Sequence, residues 1–460
     1  MKKLAGITHE ARGAIPLVPV AKRALKDWLA ARPARERRWV EGSGFRADAG
    51  RFVFLPDASG KPARVLVGAD VAAYRTWALA ALPDALPEGH YRLDAPLDAE
   101  DATRVSLGWA LGAYRYTRYK AAKRAPARLA WPGNADRREV THLAQAVMLA
   151  RDLVNTPAED MGPADLAAAV QSVADESGAE CRILSGDALL KEGYRTVHAV
   201  GRAASRAPCL ADLRWGDPKA PKVTLVGKGV CFDTGGLDLK PASGMLQMKK
   251  DMGGAAIVLG LAQALMAARA PIRLRVLIPA VENAVSGNAL RPRDVIRTKS
   301  GKTVEIGNTD AEGRLILCDA LWEADREKPA LLVDCATLTG AARVALGPEV
   351  QALFSNDDAL ASALVQAGRE ADDPLWQLPL WKGYRRQLDS PVADLNNVSA
   401  SPFAGAIIAA LYLAEFVKPS TPWAHLDVYA SNPSTRPGRP EGGEATGLRA
   451  LYRAILARYR

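Results

Sequence analysis

Three short runs dominated by apolar and β-branched residues, KVTLVG (222–227), IRLRVLIPA (272–280) and PALLVDCATL (329–338), constrain the fold more than any other feature. A strand with one wet face alternates apolar and polar residues, whereas a run that is apolar throughout is expected where both faces are covered. Helical stretches separate the runs: GGAAIVLGLAQALMAAR (253–269) and the segment from Leu315 to Asp325. Upstream lie a helix EVTHLAQAVMLARDLVN (139–155), a turn at Thr156 and Pro157, and a second helix from Pro163 to Asp175. This alternation predicts an α/β chain built on an open, mainly parallel sheet flanked by helices. Its ligand site should lie beyond the C-terminal ends of the strands.

A chain of 460 residues is too long for one ordinary domain, and its 48% hydrophobic content can fill more than one core. Residues 1–130 read as a small N-terminal α/β domain. There, RFVFLPDASGKPARVLVGAD (51–70) alternates apolar runs with turn residues, while VAAYRTWALAAL and the stretch around GWALGAYRYTRYK read as helices. A linker is expected at 121–138, where Pro, Gly and charge gather, so residues 131–460 form the larger C-terminal domain. The net charge of +10 is concentrated in residues 1–130, which hold 23 Lys/Arg against 13 Asp/Glu, leaving 38 against 38 in the remainder. A basic patch can attract nucleic acid. Without an accompanying nucleic-acid motif, a solvated face is the favoured reading. The five cysteines stand singly among apolar residues, without CxxC spacing, and read as buried thiols of a reducing compartment. With no signal-peptide pattern and no membrane span in view, a cytoplasmic protein is expected.

Two polar clusters follow the predicted strands: VGKGVCFDTGGLDLKPASGMLQMKKDMGGAA (226–256) and GNTDAEGRLILCDA (307–320). Gly227, Gly229, Gly235 and Gly236 let backbone approach a ligand closely or take positive φ, and Asp233 and Asp251 offer hard oxygen ligands. Asp310 and Glu312 would project to one side of an extended chain, where two carboxylates can grip a dication. Taken singly, an Asp after a strand is commonly a cap or turn former. GKGVCFD does not complete the GxxxxGK[ST] of a phosphate-binding loop. The joint recurrence of acids and lysines in two otherwise apolar strand-loop-helix units points to a site.

Both segments resemble the signature regions of the leucyl aminopeptidase family of dinuclear metallopeptidases, of which NTDAEGRL (308–315) is the hallmark. The likeness extends through DLVNTPAEDMGP (152–163), DCATLTGAA (334–342), DSPVADLNNVSASPFAGAI (389–407) and PWAHLDVYA (422–430), covering roughly residues 140–460. The resemblance implies that Lys228, Asp233, Asp251, Asp310 and Glu312 are metal ligands, with Asp233 and Glu312 shared between two ions. It implies that Lys240 and Arg314 are the catalytic pair, Arg314 holding a bicarbonate ion that moves protons. Met248, Thr337, Leu338 and Gly340 fall where the family contacts the first substrate residue, although Met248 also fits simple core packing. The implied function is release of the N-terminal residue from peptides by metal-activated water, in a homo-hexamer.

These roles are chemically coherent. Four carboxylates balance two divalent ions if Lys228 binds as a neutral amine. Lys240 as an ammonium would stabilise the oxyanion, and Arg314 stays protonated at any useful pH, so it is no base. With five histidines and no HExxH, a histidine-based zinc site is disfavoured. The same scarcity of histidine near the motifs disfavours a dinuclear phosphoesterase. Zinc, manganese or magnesium all remain compatible with this ligand set. After HLD, the family's usual small Ala-Gly pair is replaced: Val428 is followed by Tyr429 and Ala430, and then by a Pro/Gly-rich loop, 431–447, expected to reshape the pocket rim.

Overall fold

The computed structural model describes residues 4–460, and the chain divides into two compact units. The smaller comprises the residues up to Met148 together with Ser434–Glu441; the larger comprises Leu149–Pro433 and Gly442–Arg460.

In the smaller unit a six-stranded sheet runs in the order Ile7–Thr8, Arg128–Ala130, His90–Leu93, Ile15–Val20, Pro62–Gly68, Phe52–Pro56. Only the last pair is antiparallel. Leu17, Val65, Val67, Trp109 and Leu129 meet in its core. Three local expectations are corrected here. The helix expected over 71–82 is broken into Val71–Tyr74, a 3-10 turn Arg75–Trp77 and Leu82–Ala85, because Arg75 takes a positive φ of 43°. The helix Ala99–Gly112 stops well before Lys120, where Arg115 Nη1 donates to the Gly112 carbonyl at 3.1 Å and so satisfies a terminal acceptor. The stretch read as linker contains the strand Arg128–Ala130, held by burial of Leu129.

The larger unit carries the anticipated sheet. Its order is Leu375–Gln377, Gln351–Ser355, Trp423–Asp427, Leu331–Ala336, Lys222–Gly227, Arg273–Asn283, Cys209–Trp215, Glu180–Ser185, with Gly229–Asp233 also paired to Arg273–Asn283. The central strands are parallel, and antiparallel pairings occur only towards the two sides. Helices Gly253–Ala267 and Glu312–Arg326 pack against the central strands. Helix Gly253–Ala267 is buried almost all round, which matches its lack of a polar face. Gly254 permits this packing, because a Cβ there would lie 2.1 Å from the Cys335 carbonyl oxygen.

A junction between two strands fixes the backbone of Lys228. Lys222–Gly227 pairs with Arg273–Leu277, and Gly229–Asp233 pairs with the upper part of the same neighbour, Ala280–Asn283. Lys228 occupies the joint. Its N–H donates to the Cys335 carbonyl at 3.0 Å, and its carbonyl accepts from Ala255 N at 2.9 Å, so the chain is held on two sides.

Distant parts of this unit are tied by a fully buried ion pair. Arg151 Nε and Nη2 donate to Glu444 Oε1 and Oε2 at 3.2 and 2.9 Å, and Asn432 Nδ2 and Ala445 N complete the carboxylate's partners. Burial opposes ionisation of Glu444, but the Arg151 charge and these hydrogen bonds hold its pKa below the usual range. A depressed carboxylate stabilises the fold above the unfolded-state value of about 4.3, and that stabilisation is lost as pH falls through the lower folded-state value. Arg151→Met is therefore expected to destabilise this unit by about 3–5 kcal/mol at pH 7, by stranding a buried charge. In urea denaturation the difference should shrink as pH falls from 7 towards the unfolded-state value, because burial no longer offset by Arg151 raises the Glu444 carboxyl in the variant and it protonates first there.

Candidate active site

The residues singled out in the two signature segments converge at the C-terminal ends of the parallel strands. Lys228 and Asp233 follow Lys222–Gly227 and end Gly229–Asp233, and Thr337 and Leu338 follow Leu331–Ala336. Asp251 sits in the 3-10 turn Met248–Met252 that opens helix Gly253–Ala267. Asp310 precedes helix Glu312–Arg326 and Glu312 is its first residue. The chain at 310–312 is thus a bend into a helix rather than an extended segment, and a helix N-terminus favours the Glu312 charge.

Ligand atoms of Asp233, Asp310 and Glu312 all lie within 4.8 Å of one another. Lys228 Nζ stands 2.9 Å from both Asp251 Oδ2 and Glu312 Oε1, and donates to the Thr337 carbonyl at 2.8 Å. Lys240 Nζ lies 2.8 Å from Asp233 Oδ2 and also pairs with Asp310. Three of the acids have a second support. Asp233 Oδ1 accepts from Gly235 N at 2.9 Å and Asn283 Nδ2 at 2.8 Å; Asp251 Oδ1 accepts from Thr337 Oγ1 at 2.8 Å; and Asn308 Oδ1 accepts from Asp310 N at 2.6 Å. The two loops are stapled together: Thr309 N donates to Asp238 Oδ2 at 2.7 Å, and Thr309 Oγ1 donates to the Gly235 carbonyl at 2.6 Å. Gly235 and Gly236 turn this loop with φ of 89° and 69°.

The donor set fits divalent cations. Asp233, Asp251 and Glu312 are 2%, 3% and 1% exposed, and four carboxylates here face only two ammonium groups. Neither oxygen of Glu312 accepts a hydrogen bond, nor does Asp251 Oδ2, although Lys228 stands at ion-pair distance from each residue. Burial and the neighbouring Asp233 charge push Glu312 up to about 8, and burial with the same charge pushes Asp310 up to about 6. Burial works against the Lys228 ammonium, yet Asp251, Glu312 and Asp233 outweigh it and raise its pKa. Such frustration among buried acids is what a hard cation relieves.

These groups line a cavity of about 530 Å³, which Met248, Thr337, Leu338, Gly340 and Arg314 also line. Arg314 is buried; its Nη1 donates to the Asn397 carbonyl, and no carboxylate pairs with it among the described residues. Burial lowers its pKa. The loop 431–447, expected at the rim, does not line this cavity, whose lining in this region ends at Tyr429. Its middle, Ser434–Glu441, belongs to the smaller unit, where Arg439 lies 4.4 Å from the Trp77 ring centroid. Asn283, Thr309, Asn397 and Asp427 join the site without having been assigned a role from the sequence. Thr309, Asn397 and Asp427 lie inside the segments that carry the family resemblance, whereas Asn283 is a polar residue at a strand end with no motif to mark it.

Comparison with known proteins agrees with this construction. The family model described as "Cytosol aminopeptidase family, catalytic domain" matches residues 148–452, and that described as "M17 aminopeptidase, N-terminal domain" matches residues 15–132. The crystal structure of a cytosol aminopeptidase from Coxiella burnetii superposes with a TM-score of 0.95 at 49% identity, covering 99% of both chains. The bottromycin maturation enzyme BotP, solved in complex with Mn, has a TM-score of 0.87 at 36% identity, covering 97% of this chain and 99% of its own. A protein of Caulobacter vibrioides named "Probable cytosol aminopeptidase" is 37% identical over 99% of this chain and 96% of its own length. The chain belongs to the cytosol aminopeptidase family. It is accordingly a metallo-aminopeptidase, a hydrolase acting on peptide substrates.

Gly313 offers a test of the ligand cluster. A Cβ there would lie 2.7 Å from Lys228 Cε and 2.8 Å from its Nζ, so Gly313→Ala should push the amine out of place. The shift also strains the buried Lys228 pairs with Asp251 and Glu312, so a loss of about 1–3 kcal/mol in stability is expected without metal. Affinity for Mn or Zn should fall about 10- to 100-fold in a metal titration.

Proposed function

We propose that the enzyme releases the N-terminal residue of peptides using two divalent ions held by Lys228, Asp233, Asp251, Asp310 and Glu312. Zinc and manganese suit the set, magnesium less so, and Lys228 binds as a neutral amine. The observation that carries this reading is the buried, incompletely paired carboxylate cluster opposite Lys240 in one cavity. Bound ions of this kind supply Lewis acidity and an acidified water near neutral pH.

The remaining steps fall to the chain's own groups. Lys240 is only partly buried, and the Asp233 and Asp310 charges, outweighing its burial, keep it protonated. As an ammonium reaching into the cavity it stabilises negative charge on the oxygen of the first peptide carbonyl as that bond is attacked. Arg314 cannot take up a proton. As a buried cation without a carboxylate partner it is suited to hold a small anion, and bicarbonate there would carry protons between water and the leaving amine. Met248, Thr337, Leu338 and Gly340 line the side of the cavity that receives the first residue of the substrate.

Further proposals rest on the family rather than on the site. The protein assembles as a homo-hexamer and works in the cytoplasm; no helix among the described residues is long and apolar enough to cross a membrane. The basic surface of residues 1–130 serves solubility rather than nucleic-acid binding.

Two measurements test the mechanism. Lys240→Ala should retain its metal content and lose about 10²- to 10³-fold in kcat, the usual effect of removing one oxyanion donor. A variant with undiminished kcat would remove Lys240 from that role. Leucyl-p-nitroanilide should be cleaved, and its N-acetyl derivative left intact, only after zinc or manganese is restored to chelator-treated enzyme. Equal cleavage of both would exclude recognition of the free amine.

A further inference from the structure

Five acids line the substrate cavity: Asp233, Asp251, Asp310, Glu312 and Asp427. Four belong to the ligand cluster. The fifth is engaged by its own neighbours, since Asp427 Oδ1 accepts from Leu338 N at 3.0 Å and Thr339 N at 3.2 Å, and Oδ2 accepts from Thr339 Oγ1 at 2.6 Å. The cations divide differently. Lys228 and Lys240 are paired with the cluster and Arg314 is the cation assigned above to a small anion, which leaves Lys250 and Arg343, both in the lining.

Neither has a carboxylate within ion-pair distance among the described residues. Lys250 is only 7% exposed. An ammonium so buried normally has an acceptor; here the group it faces is an aromatic ring, with Nζ 4.9 Å from the Tyr429 ring centroid. Arg343, exposed on helix Gly340–Leu346, faces the same ring with its guanidinium carbon 5.3 Å away. Tyr429 thus has two cations against its ring, and all three residues line the cavity.

The backbone holds it there. Ala430 takes a positive φ of 54°, a conformation that costs energy for any residue but glycine, and its carbonyl accepts from Glu444 N at 3.0 Å. Gly253 lets this turn come close, because a Cβ there would lie 2.2 Å from Ala430 Cβ. Tyr429 N donates to Gln351 Oε1 at 3.3 Å, and Gln351 is itself buried. The ring is therefore placed by the fold, and Lys250 against it is held by burial.

Building on the two-metal reading of the neighbouring cluster, we propose that Lys250 and Arg343, both against the Tyr429 ring, form a carboxylate-recognising corner of the substrate cavity. Peptides that bring a carboxylate to this corner are preferred substrates. The carboxylate comes from an acidic side chain or from the C-terminus of a short peptide; the recognition chemistry is the same, a charge-assisted hydrogen bond inside a partly desolvated cavity. Lys250 is a specificity residue here, acting on the substrate rather than on the ions.

Matched substrate pairs test this. The first pair is glutamyl- and glutaminyl-p-nitroanilide, the second Leu-Glu-amide and Leu-Gln-amide, and the third Leu-Gly and Leu-Gly-amide. The three place the carboxylate on the first residue, on the second residue and at the C-terminus. Manganese-loaded wild-type enzyme should favour the carboxylate member of at least one pair in kcat/KM, and the pair identifies the source. In Lys250→Met that ratio should fall about tenfold or more, mainly through KM, while Lys250→Arg retains it. Arg343→Gln, which lies outside the ligand cluster, should lower the same ratio by a smaller factor. Because each readout is a ratio within one variant, a general loss of metal affinity in Lys250→Met does not move it. No carboxylate preference in any pair, or a preference unaltered in both Lys250→Met and Arg343→Gln, overturns the proposal. In either case, continued metal-dependent cleavage of the neutral members leaves the two-metal reading standing. Failure to cleave any member with any metal refutes that reading instead.

Discussion

Everything in the larger unit is arranged around the cost of bringing four carboxylates together with three of them almost wholly out of water. An ionised carboxylate in a low-dielectric interior is tolerated only beside cations and hydrogen-bond donors. The chain supplies some of each: Lys228 between Asp251 and Glu312, Lys240 between Asp233 and Asp310, and donors from Gly235, Asn283 and Thr337. It leaves Glu312 without a hydrogen bond, a shortfall that fits the cluster to a cation better than to a structural ion-pair network.

The sheet meets this demand through its geometry. Parallel strands deliver their C-terminal ends to one side, and Lys228 sits where the pairing along Arg273–Asn283 passes from one strand to the next. Gly313 then leaves room for the amine, and the Thr309–Asp238–Gly235 hydrogen bonds lock the second signature loop to the first. The near-complete overlay with the Coxiella burnetii enzyme shows that the two chains share this fold.

Local sequence failed where tertiary contacts override local preference. The stretch 71–82 has helical composition, yet it turns at Arg75 and does not continue as one helix. Residues 128–130 sit in a Pro- and charge-rich stretch, yet they form a strand because Leu129 fills the core of the smaller unit. The 431–447 loop follows the site directly in the chain, but its middle belongs to the smaller unit. Proximity in sequence says little about where a long loop packs.

The sheet, its flanking helices and the family were legible in the chain alone. Apolar runs covered on both faces can be little else, and NTDAEGRL with the DTGG and DLKP segments is too specific a combination of acids, lysines and glycines to arise from packing needs. Which lone polar residues join the site was settled in three dimensions. Asn283 reaches Asp233 from 50 residues away, and the Lys250 ammonium meets the ring of Tyr429, which follows the separate strand Trp423–Asp427. A hydrogen bond or a buried charge is set by distance in space, and distance in space between separate strands is not written in the spacing of either one.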